Sequence, residues 1–145
     1  MTSEEQLAHA CADSMWSTDQ ASQGLGMEIE EIRTGYARLS MTIEPRMTNG
    51  QRIAHGGFIF TLADSAFAFA CNTYNQLTVA QHCSISFLAP GAEGDRLTAI
   101  AQEQHKAGRS GLYDVMVHNQ NGDLIAAFRG HSRMVPGQHI EDAGG

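Results

Sequence analysis

Basic side chains are scarce in this chain: 9 lysines and arginines stand against 16 aspartates and glutamates in 145 residues, a formal net charge of -7. That balance leaves no broad basic field, which argues against nucleic acid or an anionic membrane surface as a partner held by charge. Any phosphate must therefore be met by a local cluster. Long hydrophobic runs are missing too. No apolar stretch approaches the roughly 18 residues that a membrane-spanning helix needs. Near the start, Glu4 and Glu5 stand where a secretory leader would carry basic residues before an apolar run, so a cytoplasmic protein is expected.

Cysteine is equally sparse. Cys11, Cys71 and Cys83 are odd in number and far apart, with no C-x-x-C spacing. Neither a disulfide framework nor a zinc site is suggested, and all three read as reduced, buried, small apolar residues. No bound metal is expected. Internal repeats and interdomain linkers are absent as well.

What is present is enough for one core. A hydrophobic content of 42% over this length suits a single domain, residues 1–135, followed by a tail, 136–145, whose two terminal glycines and low apolar content predict fraying. Ser3 and Gln6 have capping-box spacing, and Leu7, Cys11 and Met15 recur at four-residue steps, which predicts an amphipathic helix over 4–17. Alternation of Ala37, Leu39, Met41 and Ile43 with Arg38, Ser40 and Thr42 predicts a strand with one wet face, entered through Thr34-Gly35 from a weaker strand over 28–32. Downstream, strands are expected over 79–88, 96–104, 112–119 and 124–135, separated by Pro90-Gly91, Ala107-Gly108 and the hairpin signal Asn121-Gly122.

Between these strands lies a segment of different character. From Gly56 to Asn72 apolar residues point to nearly every side, which predicts a buried helix. Asp64 is its only charged residue, and no lysine or arginine stands at 60, 61, 67 or 68, from which it could pair along the helix. One helix among about six strands, with alternation favouring antiparallel pairing, gives an α+β domain in which a curved sheet covers the helix.

A carboxylate among apolar neighbours must be paired, neutralised or used. Position alone leaves two readings open: a structural aspartate bonded to a neighbouring strand or a water, or a poorly solvated base or nucleophile. His55-Gly56-Gly57 at the helix start favours the second, because free N–H groups there stabilise negative charge and glycines let a ligand approach the backbone. Gly57 and Asp64 are seven residues apart, about 10.5 Å along a helix axis, too far to serve one carbonyl carbon. If both act on one substrate they come from two chains, the Gly57 amide of one polarising the carbonyl and Asp64 of the other attacking it or activating water.

Taken together, Asn49-Gly50, His55-Gly56-Gly57, Leu62-Ala63-Asp64 and Ile85-Ser86-Phe87-Leu88-Ala89-Pro90-Gly91 resemble the phenylacetic-acid-degradation thioesterase family of bacterial hot-dog proteins. Gly94-Asp95, Gly111-Leu112-Tyr113-Asp114 and Ala127-Phe128-Arg129-Gly130 agree in order and spacing, and the resemblance covers about residues 24–135. It implies a hot-dog fold and hydrolysis of acyl-CoA thioesters without metal or organic cofactor. The Asp64 position is then the catalytic carboxylate and the Gly57 position the carbonyl polariser. Asn49 matches a residue that positions water or substrate, and His55 one that orients the loop beside the pocket. Thr78, Ser84 and Ser86 are the candidates for a water-holding hydroxyl on the facing strand. The resemblance also implies a dimer joined edge to edge with shared sites, paired again into a tetramer. Phenylacetyl-CoA or hydroxyphenylacetyl-CoA is the expected substrate, with medium-chain acyl-CoA as the competitor.

The phosphates of coenzyme A need cations, and Lys106, Arg109, Arg129, His131 and Arg133 lie near the ends of the late strands. Lys106 and Arg109 on the glycine-containing turn, with Ser110 and His131, are the candidate phosphate contacts; singly, each is also what a solvated strand edge carries. Gly56 and Phe58 are candidate substrate contacts, Phe58 and Tyr74 being the aromatics least needed for packing. A non-catalytic acyl-CoA-binding module is the alternative from another class, against which Asp64, Gly57 and Asn49 weigh.

Overall fold

The computed structural model describes residues 2–141. Helix α1, Ser3–Trp16, is followed by a short α2, Gln20–Gly24, then strands β1, Glu28–Arg33, and β2, Tyr36–Thr42. After a turn of 3-10 helix at Pro45–Met47 come the central helix α3, Gly56–Cys71, and strands β3, Thr78–Phe87, β4, Arg96–Ala107, β5, Ser110–His118, and β6, Leu124–Met134. One six-stranded sheet results, ordered β1-β2-β4-β5-β6-β3, with every neighbouring pair antiparallel. Helix α3 lies against all six strands. This is the helix-in-sheet arrangement expected from the sequence.

Alternation explains the register. Ala37, Leu39 and Met41 of β2, Leu97, Ala99 and Ala101 of β4, and Tyr113, Val115 and Val117 of β5 all point to α3 and are buried. From the helix, Leu62, Phe67 and Phe69 are each at most 1% exposed, and burying each contributes about 1.5–3 kcal/mol. Phe67 settles over Gly130 of β6, where an added Cβ would lie 2.8 Å from the ring. Two aromatic neighbours complete that cluster, Tyr113 with its ring centroid at 5.6 Å and Phe128 at 5.8 Å.

Several local expectations are corrected. The N-terminal capping box uses Thr2 and Glu5, one residue earlier than the Ser3 and Gln6 spacing suggested, so α1 starts at Ser3. Its buried stripe is Ala8, Cys11 and Ala12, while Leu7 and Met15 are only half-buried. Helix α2, capped by Asp19, was not foreseen because five residues are too few to show a helical period. Within the tail expected to fray, His139 and Ile140 are hydrogen-bonded to the body of the domain. Asn75 Oδ1 accepts the N–H groups of His139 and Ile140, each at 3.0 Å, and His139 Nε2 lies 2.7 Å from Asn72 Oδ1. Residues 142–145 lie outside the described residues. Among the described residues no helix is long and apolar enough to cross a membrane.

Candidate active site

The start of α3 is built by the loop before it. Asn49 Oδ1 accepts the N–H groups of Gln51 at 2.9 Å and Ile53 at 3.4 Å, closing the turn, and Met47 O receives the His55 N–H at 2.8 Å. His55 is the N-cap: its Nδ1 accepts the Gly57 N–H at 3.0 Å. Acceptance at Nδ1 assigns the ring hydrogen to Nε2. The same contact bears on the carbonyl polariser. Gly57, expected from the sequence to offer its amide, donates that amide to His55. The Gly56 N–H, by contrast, has no acceptor among the described residues.

Gly56 opens onto a cleft of about 540 Å³ that it shares with Asn49, Ile53, Ile59, Phe87 and Leu88. The side-chain amide nitrogen of Asn49 has no acceptor among the described residues and is the second free donor there. A Cβ at 56 would stand 2.9 Å from the tip of the Phe87 ring, so a larger residue there requires that half-exposed ring to move. Phe58 packs edge-on to the His55 ring, centroids 6.2 Å apart, and does not line the cleft.

Asp64 sits two turns further along α3, half-buried, with no hydrogen-bond or ion-pair partner among the described residues. Burial alone raises its pKa above the usual carboxylate value, with no cation or donor to offset the shift. Its ionisable neighbours are thiols: Cys71, pushed up to about 12 chiefly by burial, and Cys83 of β3, also raised by burial, each feeling the Asp64 charge as well. Cys83 is therefore the strand residue on the Asp64 side. Ser84 and Ser86 are exposed, paired with Arg129 and Ala127, and Thr78 donates its hydroxyl to Gln76 O. None of the three expected hydroxyls is hydrogen-bonded to Asp64 within the chain. A bulge between Ala80 and His82, invisible to period-two counting, sets which β3 residues face the helix.

Eight residues separate Gly56 from Asp64, about 12 Å along the axis, and Asp64 does not line the cleft. The expected phosphate contacts lie further still. Lys106, Arg109 and Ser110 share a small recess with Cys71 and Thr78 at the opposite end of α3. His131 is separated from them: Ser132 next to it is buried, so alternation turns His131 outward, where it meets His82 at 5.6 Å between centroids. Within one chain the Gly56 amide and the half-buried Asp64 carboxylate thus lie at separate places on α3.

The model of the thioesterase superfamily matches residues 51–126, which contain the helix start, Asp64 and most of the sheet. Acyl-coenzyme A thioesterase PaaI of Escherichia coli (strain K12) is 42% identical over 91% of this chain and 91% of its own. The chain belongs to the thioesterase superfamily. Solved structures agree. The structure of the E. coli PaaI protein from the phenylacetic acid degradation operon superposes with a TM-score of 0.92 at 40% identity, covering 94% of this chain and 99% of that one. A hypothetical thioesterase protein from Streptococcus pneumoniae TIGR4, solved with coenzyme A, gives 0.73 at 27% identity over 77% of this chain and 90% of that one. The fold of this superfamily member is the hot-dog fold that the motifs implied.

Proposed function

We propose that this protein hydrolyses acyl-coenzyme A thioesters to the free acid and coenzyme A, in sites shared between two subunits. The observation that carries the reading is Asp64: a carboxylate raised above its usual pKa by burial, without a cation or donor among the described residues. Such a group is a stronger base and a less solvated nucleophile than one in water.

Acting as base, Asp64 takes a proton from water while the hydroxyl oxygen bonds to the thioester carbon. The resulting oxyanion is held by the free Gly56 N–H, in place of the Gly57 amide, and by the Asn49 amide. Collapse breaks the carbon–sulfur bond, and sulfur leaves as the coenzyme A thiolate, which recovers the proton. Acting as nucleophile, Asp64 forms the bond itself, the thiolate leaves, and water cleaves the mixed anhydride. Neither route calls for a metal or an organic cofactor. His55 orients the helix start through its Nδ1 cap rather than moving protons.

Edge strand β3 supports the sharing of sites. It runs ten residues, Thr78–Phe87, without a lysine, arginine, acidic residue or proline to blunt it, and Phe87 and Leu88 are 53% and 56% exposed. Antiparallel pairing of two such edges makes one continuous sheet and runs the two α3 helices in opposite directions. Asp64 of one subunit is then carried toward the Gly56 cleft of the other. Two such dimers form the tetramer of this reading. Three free cysteines, two of them buried, fit a reducing cytoplasmic setting. Kinship with the protein of the phenylacetic acid degradation operon favours phenylacetyl-CoA or hydroxyphenylacetyl-CoA over medium-chain esters.

The test is thiol release from phenylacetyl-CoA, hydroxyphenylacetyl-CoA, benzoyl-CoA and hexanoyl-CoA by wild type and Asp64→Asn. Turnover that vanishes in a folded, oligomeric variant supports the reading. Ligand-dependent stabilisation with no turnover would replace it with an acyl-CoA-binding module.

A further inference from the structure

At the C-terminal end of α3 one carboxylate gathers two phenols. Glu103 Oε1 on β4 accepts the Tyr74 hydroxyl at 2.8 Å and the Tyr113 hydroxyl at 2.9 Å. Tyr113 is buried against Phe67, whereas Tyr74, in the loop after α3, presents part of its ring to solvent. Over that ring sits the Lys106 ammonium, 4.4 Å from the centroid, a separation at which a cation is attracted by the ring face.

Lys106 reaches Tyr74 because the strand is irregular. Glu103 pairs with Tyr113 and His105 with Leu112, leaving Gln104 as the extra residue of a bulge. In an unbroken strand Lys106, three residues from Glu103, would face the other side of the sheet. The bulge restores it to the helix side, opposite Gly111.

Charge accounting singles out the same place. Arg33, Arg38, Arg46, Arg96 and Arg129 each have a carboxylate within 4.0 Å. Of the four cations without one among the described residues, Lys106, Arg109 and Arg133 flank the β4–β5 turn, which Gly108 begins at φ +58. In a chain of net charge -7, cations left uncompensated together leave anion-binding capacity at one end.

We propose that Tyr74, fixed by Glu103, is a positioning residue that holds the Lys106 ammonium on the helix side of the sheet as a contact for the phosphate groups of the acyl-CoA. This rests on the thioesterase reading above. Because the turn lies at the far end of α3 from its own chain's Gly56 cleft, the phosphates it meets belong to a ligand seated in the partner subunit's cleft. Tyr74 touches no substrate in this arrangement; it acts through Lys106, limiting the conformations of a long side chain before the phosphate arrives.

The experiment measures equilibrium binding of coenzyme A and of pantetheine, and kcat and KM for phenylacetyl-CoA and phenylacetyl-pantetheine, with the intact oligomer. Lys106→Gln and Tyr74→Leu should each weaken coenzyme A binding and raise KM for the CoA ester by roughly tenfold. Pantetheine binding and both kcat values should stay unchanged. The double variant should be no worse than Lys106→Gln, and added salt should shrink the differences. If Tyr74→Leu fails to fold, Tyr74→Phe, which keeps the ring and loses the Glu103 bond, takes its place with a smaller KM shift in the same direction. Equal shifts for coenzyme A and pantetheine ligands, multiplying effects in the double variant, or an unaffected Lys106→Gln would overturn the proposal. A wild type that prefers coenzyme A to pantetheine yet cleaves neither ester would sink the thioesterase reading and leave this one standing. Cleavage of both esters with equal KM would sink this one alone.

Discussion

The Gly57 amide donates to Nδ1 of His55 at 3.0 Å, and that bond decides which amide of the His-Gly-Gly turn is left for a ligand. With Gly57 engaged, the Gly56 N–H and the Asn49 side-chain amide are the unpaired donors at the cleft. Replacing His55 with alanine removes the N-cap and should cost about 1 kcal/mol of stability. His55→Asn, a capping residue in its own right, should recover most of it. Thermal unfolding of the three forms measures this, and a lasting loss of kcat in stable His55→Asn would show that the imidazole has chemistry beyond capping.

Asp64 should reduce stability where it increases rate. Its folded pKa is raised, so its carboxyl favours the folded state while protonated, and that advantage is lost as pH rises from the ordinary carboxylate value through the raised one. Asp64→Asn should therefore melt higher than wild type at pH 7, with the gap closing as pH falls toward 4, while turnover drops by about a thousandfold or more. Melting curves and thiol release on one preparation test both halves. A lower melting temperature at pH 7 would indicate that the carboxylate is compensated by a partner group in the assembly.

Sharing of sites predicts complementation. Asp64→Asn and Asn49→Ala should each be nearly inactive alone. Co-assembled, they leave one site of every hybrid dimer with both wild-type residues, so activity should return on mixing through unfolding and refolding or on coexpression. Mixtures no more active than their parents would place both residues in one chain's site.

His139 ties residues 136–141 to the core through Asn72, and burial lowers its pKa below the ordinary histidine value. The neutral ring is the one the folded state prefers. Stability from this group is present above about pH 6.5 and lost as pH falls from there through the lowered folded value. His139→Gln should flatten that part of the stability profile, read from urea midpoints between pH 5 and 8. An unchanged slope would assign the acid sensitivity to another histidine.

Gly130→Ala should destabilise by about 1–3 kcal/mol, since its Cβ would meet the Phe67 ring at 2.8 Å and the ring is boxed in by Tyr113 and Phe128. Combining it with Phe67→Leu should return part of the loss, because the smaller side chain yields the space; purely additive losses would locate the strain elsewhere.

Much of this molecule could be read from its residues. Alternation in Ala37 to Ile43 located β2, since one wet face forces a period of two, and strand-like stretches between turn signals located the late strands. Apolar residues on all sides of Gly56–Cys71 marked the central helix, and Asp64 stood out because nothing near it in sequence could neutralise it. Those features depend on neighbours along the chain, and so does the recognition of the thioesterase motifs.

Other features depend on hydrogen-bond register and on groups brought together from far apart, and only the folded structure decided them. Which amide of the His-Gly-Gly turn is left without an acceptor depends on the cap made by His55. Cys83, rather than Ser84, stands on the Asp64 side because of a bulge two residues earlier, and another bulge at Gln104 turns Lys106 toward Tyr74. Residues 136–141 looked loose because their anchors, Asn72 and Asn75, lie more than sixty positions away. Periodicity says which residues a strand or helix can bury; a single inserted residue or a single cap, each a difference of about 1 kcal/mol in hydrogen bonding, says which way the chemistry points.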